Sequence, residues 1–305
     1  MNKHTLALIF FSFVLGGCGS EQEASTPPPP APASEPEATA IPVPAPAPST
    51  SELFDRAIAG DWRDPANVAR DVWRHPKKTL EFFGVSADQR VLEIYPGRGW
   101  YTEILVPFLR ERGHYLGANV DPATAPNERV KTYLTEQNAD LSAKLAAHPE
   151  VYDKAQLRQI DPANPAFGDP GSVDAVLTFR NVHNWMMGGH ADIMFKGFYE
   201  VLKPGGVLGV VEHRAAGDVP AADKSGYVGQ DQVIAMAKAA GFEFEESSEI
   251  NANPADTKDH EAGVWSLPPS LRLGDKDRAK YEAIGESDRM TLRFRKPVVV
   301  SPAAP

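Results

Sequence analysis

The sequence predicts an α/β fold, a mostly parallel sheet covered by helices on both faces. Three observations predict it. Short apolar runs alternate with segments of helical spacing after residue 85. Several runs, such as VDAVLTF at 173–179, are apolar almost throughout, as strands buried on both faces are. Gly and Pro punctuate the joints between them.

The elements follow in order. Residues 52–59 (ELFDRAIA) and about 65–83 have helical spacing. Residues 91–94 (VLEI) form a short strand that ends in Tyr95-Pro96-Gly97-Arg98-Gly99, and 100–112 read as a helix capped by Gly113. A strand at 115–120, a helix at 131–147 and a strand at 155–160 come next. The strand at 173–179 precedes a helix at 191–202, which stops at Lys203-Pro204-Gly205-Gly206. Residues 207–212 are another buried strand, 230–240 a helix closed by Gly241, and 242–250 and 290–300 the last strands.

Composition bounds the rest. The chain has 305 residues, a formal charge of −10 and one Cys. A lone Cys excludes an internal disulfide framework or a thiolate metal cluster. The acidic balance argues against general nucleic-acid affinity, and no nucleic-acid partner is expected. Residues 1–18 join a basic start to a compact apolar run, TLALIFFSFVL, too short to span a bilayer, and end in Gly16-Gly17-Cys18. This pattern resembles the signal peptide and lipobox of bacterial lipoproteins. The resemblance implies lipidation at Cys18, a periplasm-facing location and, with Gly rather than Asp at position 19, the outer membrane. Residues 19–50 hold ten prolines and seven alanines and read as a disordered, extended tether. Residues 51–300 are then the folded domain and 301–305 a disordered tail.

Ligands of open α/β sheets bind beyond the carboxyl ends of the strands. The first such end here is the glycine turn at 95–99. Gly97 and Gly99 permit positive φ and close backbone approach, and the following helix offers free N–H groups. A plain structural turn would look similar. The order of VLEIYPGRG, SVDAVLTF and EVLKPGGVLGVVEHR resembles the class I S-adenosylmethionine-dependent methyltransferases. PGRGWYTEIL, TFRNVHNW and GESDRMTLRF resemble, more narrowly, an exported bacterial group of predicted methyltransferases. The resemblance covers about residues 52–297. It implies a Rossmann-like seven-stranded, mostly parallel sheet with the last strand antiparallel, S-adenosylmethionine as cofactor, and a small-molecule acceptor.

It also implies a site. Glu93, Tyr95, Gly97, Gly99 and Asn181 are expected around the cofactor, with Asn119 or Asp121 at the ribose and Asp161 at the adenine amine. Tyr95 and Pro96 depart from the usual small residues of the turn, and Asn119 stands where a carboxylate is usual. His183 is the candidate base, since imidazole exchanges protons near neutrality; capping the next helix is its structural alternative. Tyr101, Trp185, Glu212 and His213 are candidate substrate contacts. Packing on a helix is the alternative for Tyr101, and a buried ion pair for Glu212 and His213. Residues 73–76 could close over the site as a lid. His183 with His190, or Asp256 and Asp259 with His260, lack the spacing of a metal motif, and no metal is expected. A non-catalytic, exported ligand- or partner-binding module of the same fold is the competing expectation.

Overall fold

A computed structural model describes residues 47–298. The expected signal peptide, Cys18, most of the tether and the tail lie outside the described residues. Seven strands form one sheet: β1 Arg90–Ile94, β2 His114–Val120, β3 Gln156–Ile160, β4 Val173–Phe179, β5 Leu202–His213, β6 Glu243–Ser248 and β7 Arg289–Arg295. Their order is β3-β2-β1-β4-β5-β7-β6. β1 to β5 pair in parallel, and β7 lies antiparallel between β5 and β6. The strand order reverses between β1 and β4, which makes their carboxyl ends the switch point.

The helices are α1 Thr50–Ile58, α2 Pro65–Val68, α3 Asp71–Arg74, α4 Pro76–Phe82, α5 Thr102–Leu109, α6 Glu128–Ala147, α7 Pro149–Tyr152, α8 Val182–Gly188, α9 Ala191–Val201, α10 Gln230–Ala239 and α11 Arg278–Ile284. They cover both faces. Val91, Ala175, Leu177 and Val211 pack with Phe54 of α1, Leu80 of α4 and Phe108 of α5. Their neighbours Leu92, Ile94, Val176, Leu208 and Val210 point the other way, onto Trp185, Phe195 and Phe198. Consecutive strand residues are therefore both buried, which is why the runs are continuously apolar.

Local chemistry sets the element ends. Ser49 caps α1 reciprocally with Glu52. Pro107 lies inside α5 and cannot donate to the carbonyl of Glu103; the Trp62 indole donates to it instead, at 3.0 Å. The expected single helix at 65–83 is three short ones. His75 precedes Pro76 and adopts a left-handed φ of 40°, which breaks the chain between α3 and α4. The LKPGG segment, expected as a turn, lies in β5, beside a register shift in β4 between Val173 and Ala175. The short helices α8 and α11 were not anticipated.

Candidate active site

A cleft of about 640 Å³ opens at the switch point. Its wall takes Tyr95, Pro96 and Gly97 from the end of β1, Asn119 from β2, and Asn181 and His183 from the start of α8. Trp265 and Pro268 line it from the segment after β6. The volume lies within the range of small-molecule sites.

The turn after β1 is built to bend. Tyr95, Gly97 and Gly99 have φ of 51°, 64° and 87°. A Cβ on Gly97 would meet nothing nearer than 3.6 Å, so its conformation, not lack of space, calls for glycine. At Gly99 both do: a Cβ would lie 2.8 Å from Leu141 Cδ1 of α6. The Tyr95 ring leans edge-on against Trp185 at 5.9 Å and forms a wall of the cleft. Its buried hydroxyl has no hydrogen-bond partner among the described residues. Asn181 donates to the Ile94 carbonyl at 3.0 Å and to Thr178 Oγ1 at 3.1 Å, which ties the ends of β1 and β4 together.

His183 and Glu212 form a buried pair. His183 Nδ1 lies 3.0 Å from Glu212 Oε1, and its amide donates to Oε2 at 3.2 Å. Glu212 is fully buried and also accepts the His213 amide at 2.7 Å. As a carboxylate it takes Nδ1–H of His183, which leaves Nε2 as the lone-pair nitrogen of a ring lining the cleft. His213 sits beside it, with ring centroids 5.4 Å apart, and contacts Ser287 Oγ through Nδ1 at 2.5 Å. Burial, then His183 and the guanidiniums of Arg180, Arg289 and Arg74, hold His213 well below its ordinary pKa.

Of the expected cofactor contacts, Tyr95, Gly97, Asn119 and Asn181 line the cleft. Glu93 does not. It lies beneath the turn and accepts from Thr102 Oγ1 at 3.0 Å and Tyr115 Oη at 2.7 Å, joining β1, α5 and β2. Burial pushes it up to about 7, against Tyr115, Thr102 and Arg180. Asp121 and Asp161 are outside the lining; each accepts an amide two residues on through Oδ1, at 2.9 Å. Of the expected substrate contacts, only His213 lines the cleft. Tyr101 stacks on Phe179 at 3.5 Å and supports it from behind. Trp185 is a core residue between Tyr95 and Phe198. Glu212 reaches the cleft only through His183.

A cluster absent from the expectations borders the same cleft. Glu286 accepts from Arg70 at 2.6 Å and Arg74 at 3.1 Å, and Arg289 pairs with it at 2.9 Å. Burial alone would raise Glu286, but Arg74, Arg289, Arg70 and Arg180 together hold it down at about 2. Arg180 follows β4 with φ 62° and makes no ion pair or side-chain hydrogen bond with a described residue. The anticipated lid at 73–76 contributes Arg74 to the lining.

His183, Glu212 and His213 also place one donor atom each within 4.8 Å of one another, the donor set of a divalent-metal site. Two amides and Nδ1 already engage the carboxylate, and three guanidiniums act on His213, so the local charge disfavours a cation. Asp256 and His260 bond each other at 2.8 Å, with Asp256 also taking the Tyr227 hydroxyl, as a structural hub.

No protein-family model matches the chain, and no curated protein matches its sequence. Solved structures match in fold. The [4+2]-cyclase SpnF is 18% identical with a TM-score of 0.51, over 83% of this chain and 99% of that one. An S-adenosylmethionine-dependent methyltransferase from Aquifex aeolicus is 17% identical with a TM-score of 0.46, over 67% and 94%. Phosphoethanolamine N-methyltransferase 2 from Haemonchus contortus, in complex with S-adenosyl-L-methionine, is 17% identical with a TM-score of 0.49, over 81% and 60%. The chain has the Rossmann-like fold of class I methyltransferases, with its antiparallel seventh strand.

Proposed function

We propose that this chain is an S-adenosylmethionine-dependent methyltransferase for a small-molecule acceptor. The observation that carries the reading is one cleft bounded by the β1 glycine turn and Asn119 on one side and by His183 on the other. The residues fit the cofactor. The turn leaves room for it at Gly97, and the Asn119 amide suits a ribose hydroxyl. When bound, the cofactor supplies an electrophilic methyl group on a sulfonium. The chain's own residues do the rest. His183 takes the acceptor's proton at Nε2, Glu212 fixes the tautomer through Nδ1 and steadies the imidazolium, and Trp265 helps to exclude water.

The N-terminal pattern supports export, lipidation at Cys18 and a periplasm-facing position at the outer membrane. That location favours a second reading, a ligand-binding module without methyl transfer. A charged sulfonium does not cross a bilayer readily, so an exported enzyme needs a supply route. Likeness in fold to a [4+2]-cyclase also fits a broader chemistry.

Calorimetry with S-adenosylhomocysteine separates the two. The first reading expects micromolar binding in the wild type, lost in Gly97→Val with the far-UV spectrum unchanged. A folded wild type that binds neither this product nor S-adenosylmethionine would leave only the module.

A further inference from the structure

The cleft carries a charge opposite to that of the chain. The whole sequence has a formal charge of −10. Yet the cleft is lined by Arg70, Arg74, Arg98 and Arg180, with Glu286 the only carboxylate among its lining residues. Arg98 is neutralised by Asp140 at 2.7 Å. Glu286 is shared by Arg70, Arg74 and Arg289. Arg180 has no such partner among the described residues. Holding a long side chain at φ 62° is costly, and strain of this kind gathers at binding sites. Burial and the neighbouring Arg289 and Arg70 lower Arg180 to about 10, against the pull of Glu286, and it stays charged at neutral pH. The cleft wall thus holds a guanidinium with no ion-pair or side-chain hydrogen-bond partner among the described residues, where an incoming anion gains charge-assisted, bidentate bonds.

We propose that the acceptor is an anion, and that Arg180 binds its carboxylate or phosphate beside His183. The proposal rests on the methyltransferase reading for the word acceptor; the anion site itself does not. Arg180 lies on the acceptor side because it leads from β4 into α8, three residues before His183, whereas the glycine turn leaves β1. The group at Arg180 sets orientation, and the atom presented to Nε2 of His183 is a separate hydroxyl, amine or thiol that gives up its proton there. The cofactor's own carboxylate is the other anion that could use this guanidinium, and the test distinguishes them.

Inorganic phosphate is the probe, titrated at constant ionic strength into the protein with and without S-adenosylhomocysteine. Wild type is expected to bind phosphate and to melt higher in it. Arg180→Gln is expected to bind at least about tenfold more weakly and to melt no lower than wild type in phosphate-free buffer, because a repulsive charge has gone. Arg180→Lys retains part of the binding and serves if the Gln variant does not fold. Affinity for S-adenosylhomocysteine should change by no more than about twofold in either variant. Equal phosphate binding by wild type and Arg180→Gln overturns the site. Loss of S-adenosylhomocysteine affinity, with binding of 5′-methylthioadenosine unchanged, gives the guanidinium to the cofactor's carboxylate and overturns the acceptor assignment. Phosphate binding through Arg180 in a wild type that ignores S-adenosylhomocysteine upholds the anion site and removes the methyltransferase reading alone.

Discussion

At the scale of single residues, the site depends on which nitrogen of His183 carries the proton. Glu212 is wholly buried and outside the cleft lining, so in the proposed mechanism it positions the His183 ring and does not touch substrate. Nitrogen-15 shifts of the His183 ring should show a protonated Nδ1 in the wild type, and Glu212→Gln should mix the two tautomers. An unaltered tautomer in that variant would remove Glu212 from the mechanism. Once an acceptor is known, His183→Ala should lower kcat by about 10²–10⁴ while cofactor affinity holds; equal losses would make it a binding residue. Glu93 gives a pH prediction. Its folded state favours the protonated form, so its contribution is full below the ordinary value of 4.5 and is lost as pH rises through about 7. The melting temperature of Glu93→Gln should therefore gain on that of the wild type across this window, and a constant difference would mean that Glu93 titrates normally.

At the scale of elements, one carboxylate ties the short helix α3 and its N-cap to the chain before β7. Glu286, just before β7, grips Arg70 and Arg74 across 216 and 212 residues of chain. Glu286→Gln leaves buried guanidiniums without their counter-charge and should cost about 3–5 kcal/mol in urea denaturation. Because its carboxyl is depressed, this stabilisation is present above pH 4.5 and falls away towards about 2. The same separation explains what sequence could not reveal. The central strands β1, β4 and β5 were legible because each holds a local apolar run, and the turn at 95–99 because its two glycines stand one residue apart after such a run. His183 was legible through its place after β4. The arginine cluster was not, since its members come from α3 and its N-cap, β7 and the end of β4 and meet only in the folded chain. Asp121 and Asp161 each bind their own turn through Oδ1 and lie outside the cleft lining, and nothing in residue type distinguishes a turn-capping Asp from a ligand-binding one. Helix α8 is seven residues long, too short for periodicity to announce it. A Pro107→Ala change in α5 tests the local account of that helix. The alanine amide can donate to the Glu103 carbonyl, so the variant should retain or gain stability although Trp62 already serves that oxygen.

At the scale of the whole molecule, an acidic chain encloses a basic cleft, and among the described residues no helix is long and apolar enough to cross a membrane. Membrane attachment in the proposed account therefore rests on Cys18. Cys18→Ser should abolish lipid labelling and leave the precursor uncleaved at that site; normal labelling of the variant would reject the anchor. In the proposed function, the cleft at the switch point receives the adenosyl cofactor with its reactive end towards His183. A crystal structure of the protein grown with S-adenosylhomocysteine decides this. The ribose is expected against Asn119, the amino-acid end at Gly97 and the sulfur facing the His183 ring. Ligand seated elsewhere, or a cleft that stays empty at saturating ligand, would overturn the cofactor site.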